Sequence, residues 1–497
     1  AQVLINKVKS KCCGIKVKYN CMKMNRFLSL RSMCGVTAAC TTLLLGSCIN
    51  GYDDDWTFSS GVSGVTLTSP AADGVKFTQN PEGTEVTVEW PVVMGAGGYE
   101  FTAYNADDPE NPVPVGRPDT IDGCSKKFAL KEDTSYKFYI RSLGNEEAGN
   151  KAAEKATELS YSTLLATYAE IPDGTDLTEW FKQNPIPDSS EELAYNLVPG
   201  GHYTMSGETD FGSHRITLRG NKVKHPMVTC GADGTLATAA GLKVKFIDFD
   251  CNANTSGAFL ALSTTPDEST KVASGEYVIK DPIALQSCRI LDVNKYLIYD
   301  NNKQKYAVEN LSVNDCYIRI NQTDVLVLFK KSSTINLTLK ESTLYSTVKA
   351  GKFFAQINGS RPDKITGYVG GSFNINSCTL YNVSNGKDFV NWNQYRGRNT
   401  MTLNIAKSII VDSGNTGDNN FTNKIMGNAN MVHNFRLNTY WWNGAAGTDK
   451  FDTSTLTTEP FVYNGDGQFT VTGADQLANR TGDPRWLPAD TEDDSAE

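Results

Sequence analysis

The densest gathering of chemically capable side chains is the run Asp388-Phe389-Val390-Asn391-Trp392-Asn393-Gln394-Tyr395-Arg396-Gly397-Arg398. Aromatic faces stack on the apolar faces of sugar rings, and amides and guanidiniums bond hydroxyls or carboxylates. If a strand over 389–391 leads into a loop on an outer groove, Trp392, Tyr395, Arg396 and Arg398 are candidate glycan-binding residues. The competing reading packs the same aromatics against the wall of the fold. Tyr440-Trp441-Trp442-Asn443 is a second cluster. Three successive aromatics on a strand cannot all face a core. Trp441 and Trp442 therefore join the candidates, with packing against the C-terminal tail as the alternative.

Catalysis asks for more. Abstraction of a proton beside a carboxylate needs a positioned base and a positive group to hold the developing charge, for which an Arg or Lys base and a Ca²⁺ on clustered Asp are one solution. Glycoside hydrolysis needs paired carboxylates at a set separation. The repeats described below carry no tight Asp cluster. Asp388 with Arg396 or Arg398 is the catalytic grouping on offer, and it rests on proximity in sequence alone. His202, His214, His225 and His433 are scattered and read as structural. No C-x-x-C pair supports a zinc site. No metal ligands are assigned and no cofactor is expected, apart from Ca²⁺ if the chain is a lyase.

The elements that would position these residues announce themselves by repetition. Phe373-Asn374-Ile375-Asn376-Ser377-Cys378-Thr379-Leu380 is echoed by Leu311 to Ile318 and by Ile283 to Ile290. Phe246 to Cys251 reads as an earlier copy, and Ile335 to Leu344 and Leu403 to Ile410 as later ones, with Ser342 and Ser408 in the cysteine's place. Taking 251, 288, 316, 342, 378 and 408 as equivalent gives steps of 37, 28, 26, 36 and 30 residues. Such a period means stacked coils, none of which buries its apolar face alone. Within the phrase, apolar residues alternate and so face inward. The Asn, Asp or Ser before each cysteine suits a left-handed bend. The cysteines then read as small buried hydrophobes in a file, with disulfides as the alternative for an exported chain.

Composition bounds the rest. The chain has 497 residues, long for one core, and a formal charge of −9. Residues 1–47 hold eight Lys/Arg and no acid, leaving 39 basic against 56 acidic residues from Cys48 onward. That surface repels nucleic acid. Met24-Asn25-Arg26 with Arg31 forms a basic n-region, Gly35 to Leu45 a short apolar h-region, too short to span a membrane. Leu45-Gly46-Ser47-Cys48 resembles the bacterial lipobox, which implies a lipid on Cys48 and a mature chain beginning there. Asp53-Asp54-Asp55 resembles the surface-export tether of Bacteroidetes-type lipoproteins. The resemblance implies an outer-membrane protein facing the cell exterior, with residues 1–47 as leader and signal and 48–64 as anchor and tether.

Residues 65–165 read as short alternating strands. Val86-Thr87-Val88-Glu89-Trp90 and Tyr99-Glu100-Phe101-Thr102-Ala103-Tyr104 alternate around the Gly95–Gly98 turn. Trp90, Tyr99, Leu130 and Tyr136 fill the core marks of a fibronectin type III module, which this stretch resembles. Glu132 stands where that family usually has Pro. The Leu130–Tyr136 spacing is similar to a tyrosine corner. The resemblance implies a spacer and assigns no chemistry.

From residue 170 onward, 176–183 is a candidate amphipathic helix capped by Asp176 or Thr178, suited to covering the open end of a stack. Asn196 to Met205 and Arg215 to Gly220 resemble the opening of right-handed parallel β-helices of the pectin-lyase-like kind, and Gly482-Asp483-Pro484-Arg485-Trp486 resembles the close of such domains in Bacteroidetes surface lipoproteins. Trp486 is expected over the final coil. The expected fold is all-β: a fibronectin III-like sandwich, then a right-handed parallel β-helix of about nine coils over 170–497. The leading expectation is a surface lipoprotein that binds or presents polysaccharide through the β-helix groove, beside other glycan-utilisation proteins. A polysaccharide lyase or glycoside hydrolase on the same fold, and an adhesion or structural surface protein, are the alternatives.

Overall fold

The computed structural model describes residues 61–322, 324–348, 353–384, 389–392, 400–414, 439–442 and 459–489. These fall into two compact units. The first comprises the described residues up to 105, with 113–131 and 136–161; the second comprises 106–112, 132–135 and 162 onward.

The first unit is all-β. Strands Lys76–Gln79, Glu85–Glu89 and Ser125–Ala129 form an antiparallel three-stranded sheet. Strands Tyr99–Asn105, Val113–Pro114, Asp119–Ile121, Ser135–Ser142 and Thr157–Ser162 form a five-stranded one. Alternation puts Val86, Val88, Tyr99, Phe101, Phe138 and Ile140 in one core with Trp90, whose ring meets Tyr99 edge-on at 5.5 Å. The Tyr136 hydroxyl accepts the Lys131 N–H at 2.7 Å and so ties down the chain that crosses there.

The second unit stacks three parallel sheets. One holds Thr167–Ile171, Leu193–Leu197, Ile216–Arg219, Leu242–Lys245, Ile283–Gln286, Tyr306–Asn314, Ser333–Lys340, Gly371–Asn376 and Met401–Ala406, with Tyr277–Ile279 beside them. The next holds nine strands, from His202–Met205 through Met227–Cys230, Asp248–Asp250, Arg289–Val293, Tyr317–Ile320, Thr343–Ser346, Thr379–Tyr381 and Ile409–Val411 to Tyr440–Trp442. The third holds seven, from Glu208–Asp210 to Val390–Asn391. Successive coils give one strand to each sheet, so the chain winds as a parallel β-helix. Its interior is a continuous column of Leu, Ile, Val and Phe. Helix Leu177–Gln183 packs Phe181 on Tyr195 and Phe211, each ring pair at 5.1 Å, and covers the first strands. Asp176 caps it, accepting the Glu179 N–H at 3.0 Å.

The repeated phrase is a corner. The residue entering the second sheet's side has positive φ in coil after coil: Phe246, Ser287, Asp315, Glu341, Ser377 and Lys407. The next residue turns inward, and in five of these six coils, all but that of Ile247, its small head donates to the carbonyl two residues back. Cys288, Cys316 and Cys378 do so with sulfur, to Gln286, Asn314 and Asn376. Ser342 and Ser408 do so with oxygen, to Lys340 and Ala406. Cysteine and serine are interchangeable here because both are small and both donate.

One copy of the phrase is offset from the others. Asp248 pairs in register with Arg289, so Ile247, not Cys251, is the counterpart of Cys288. Cys251 lies at the far end of its strand beside Cys230, sulfur to sulfur 3.7 Å. The six described cysteines are all free thiols.

The last segment is not where the sequence placed it. Hairpin Phe461–Gly465 and Gln468–Val471, helix Ala474–Ala478 and the turn Pro484–Trp486 lie on the outer side of the second sheet. Trp486 donates to Thr343 at 2.6 Å rather than covering the final coil. Phe461, Phe469 and Val471 bury Tyr345, Ile409 and Val411. Gly467, at φ +71°, allows this approach: a Cβ there would collide with the Tyr317 hydroxyl and the Tyr345 ring.

Candidate functional site

A residue that follows an inward-facing corner residue must point outward. Met227, Asp248, Arg289, Tyr317 and Thr343 are successive register partners at this position on the second sheet. They form a column with about 4.8 Å between rungs. Over Asp248, Arg289 and Tyr317 the outer face is open and concave. The cavity measures about 740 Å³, floored by this column and flanked by Lys222, His225 and Phe246, with Arg485 and Trp486 at the far wall.

The groove mixes fixed and free charge. His225 Nδ1 lies 2.8 Å from Asp248 Oδ1, which leaves the other ring nitrogen to hydrogen-bond a ligand or solvent. Arg485 bonds Asp315 and holds the buried Asp483 at 2.6 Å, so it is part of the wall. Ser287 donates to Asp315 at 2.6 Å. The Tyr317 hydroxyl meets Tyr345 at 3.1 Å, and burial raises its pKa. Arg289 is different. It is exposed, its guanidinium lies 5.8 Å from the Tyr317 ring centroid, and among the described residues no carboxylate pairs with it. The arrangement offers a hydrogen-bonding cation on an aromatic base, an imidazole held by a carboxylate and a length of several rungs. It gives no cation cage: among the described residues no three His, Cys, Asp or Glu gather as metal ligands.

The residues singled out from sequence stand elsewhere. Cys48, Asp388, Tyr395, Arg396 and Arg398 lie outside the described residues. Trp392 is buried in the core at 1% exposure, its ring 5.2 Å from Phe373, and presents no face to a sugar. The cause is a bend: Phe389, Val390 and Trp392 all turn inward, so strict alternation fails on the short third-sheet strands. Trp441 is also interior and donates to the Ser413 carbonyl at 2.7 Å. Trp442 faces outward but is half-buried against the C-terminal segment. His225, read as structural, and the Asp248–Arg289–Tyr317 column were missed as site residues. The available signal was position: each column member directly follows the inward corner residue.

Comparison with known proteins adds little chemistry. Three models, each described as a domain of unknown function, match in succession: DUF4992 over residues 22–200, DUF4957 over 201–347 and DUF5123 over 373–486. No curated protein matches the sequence. Among solved structures, a pectate lyase from Erwinia chrysanthemi, crystallised in complex with tetragalacturonic acid, matches at 7% identity, covering 68% of this chain and 84% of its own, with a TM-score of 0.14. A likeness that loose carries no argument about the site. What stands is the architecture read from the strand registers: an all-β chain whose second unit is a parallel β-helix with an open groove on its second sheet.

Proposed function

We propose that the chain is a surface lipoprotein that binds polysaccharide along the second-sheet groove. The observation that carries this reading is the exposed Arg289 on Tyr317, set in a cavity of about 740 Å³ that runs across several rungs. Extended polymers suit a groove built from repeating rungs, and an aromatic-backed guanidinium suits hydroxyl or acidic groups on sugars. In this reading Cys48 carries the lipid, the fibronectin III-like first unit is a spacer, and the coils take the right-handed sense usual for parallel crossovers. The groove then faces outward from the cell, beside other glycan-utilisation proteins.

Calorimetry against soluble plant and host polysaccharides tests it. Arg289→Ala should weaken binding by about tenfold to a hundredfold, the worth of a hydrogen bond to a charged group. If no polysaccharide binds, or the variant binds as the parent does, the groove reading is wrong. The His225–Asp248 contact favours a second reading, a lyase or hydrolase using the same groove. Release of unsaturated or reducing ends from a bound polysaccharide, abolished in His225→Ala, separates the two.

A further inference from the structure

On the third sheet, strand Tyr296–Tyr299 breaks alternation. Leu297 and Ile298 are both buried, which turns Tyr296 and Tyr299 both outward. Their rings lie 4.7 Å apart and 30° from parallel, and both remain half-exposed. Lys295 and Lys330 sit over these rings at 5.8 Å. Beside them opens a separate cavity of about 210 Å³ with Gly257 and Ala258 among its lining. Glu208 and Asp233 also line it, with Asn301 and Lys295.

The wall chemistry selects the occupant. Two carboxylates disfavour an anion. The Lys295 ammonium, fixed to the Ser256 carbonyl at 2.9 Å, disfavours a metal ion. So much polar lining disfavours an apolar ligand. A neutral ring with hydroxyls around its edge and C–H bonds on its face satisfies all three walls: carboxylates accept from vicinal hydroxyls, the ammonium and amide donate, and a tyrosine ring meets the C–H face. The volume is close to that of one such ring. We propose that this cavity is a binding site for a single neutral pyranose, independent of the second-sheet groove and built on Tyr296 and Tyr299.

Saturation-transfer NMR and calorimetry with galactose, glucose, mannose and N-acetylglucosamine test the proposal on the intact chain. The expected result is saturable binding of at least one of them, weakened more than tenfold by Tyr296→Ala or Tyr299→Ala. Tyr299→Phe, which keeps the ring, and Arg289→Ala, which lies in the other groove, should leave that binding unchanged. Glu208→Gln provides a second probe of the opposite wall and should weaken it. Failure of all four sugars to bind overturns the proposal. So does unchanged binding in both alanine variants, or thermal stabilisation by Ca²⁺ but by none of the sugars. Because Arg289→Ala reads the groove alone, loss of one site leaves the other interpretable.

Discussion

Early and late rungs of the second sheet share one register and differ in almost everything else. At the column position the early rungs carry the half-buried Asp248 and the exposed Arg289; the late ones carry Thr343, Thr379 and Ile409, all buried beneath the C-terminal segment. The backbone is the same, so backbone does not decide which rungs can meet a ligand. Cover does. Where the segment lies, column side chains serve it: Thr343 donates to Asp483 at 2.7 Å, and Thr379 accepts the Asp483 N–H at 3.0 Å. Beyond Trp486 and Arg485, where no described residue of that segment lies over the column, ionisable residues take over.

The sharpest way to break this contrast is to lift the cover. Phe469 is buried between Phe461, Tyr345 and Trp486. Phe469→Ala should cost about 3–5 kcal/mol in denaturant melts and make the hairpin an early site of proteolysis. Thr343→Val removes one hydrogen bond to a buried carboxylate and one from Trp486, and should cost about 1.5–3 kcal/mol by the same measurement. The inward corner file runs under both halves and serves as a control. Cys316→Leu overfills its corner and should cost about 1–3 kcal/mol, whereas Cys316→Ser should fold with little loss because Ser342 already fills the equivalent place.

Titration sharpens the contrast further. Burial lifts the Asp483 carboxyl above its ordinary value of 3.8, with Arg485 opposing but not cancelling the effect. A raised carboxyl pKa means the folded chain holds the proton more tightly than the unfolded chain does. The associated stability is full below pH 3.8 and declines as pH rises through the folded value. Wild type should therefore lose stability relative to Asp483→Asn over that rise, as read by melts at several pH values. The smallest effect belongs to the open half. Arg289→Ala should change stability by no more than about 0.5 kcal/mol, so any loss of binding it causes is not a loss of fold.

The coil stack was legible because most corners make the same local demand. A bend residue with positive φ is followed by a small donor, and both requirements are met within a few residues of sequence. Cys251 misled because a cysteine at the wrong end of its strand is just as small and buried as one in the file; only the pairing with Arg289 shows that Ile247 holds the place. Trp392 misled because parity was assumed on a strand that bends. The groove was least legible. Its walls join Asp315 to Arg485, 170 residues apart, and no local pattern encodes such a meeting.

Gly467 bears on how the molecule is made. Only at a residue without a side chain can the hairpin descend onto Tyr317 and Tyr345, and that hairpin leaves the ribosome after every rung it will shield. Until it arrives, Tyr345, Ile409 and Val411 stand bare to water. An unfinished copy therefore exposes apolar surface that the hairpin shields in a finished one.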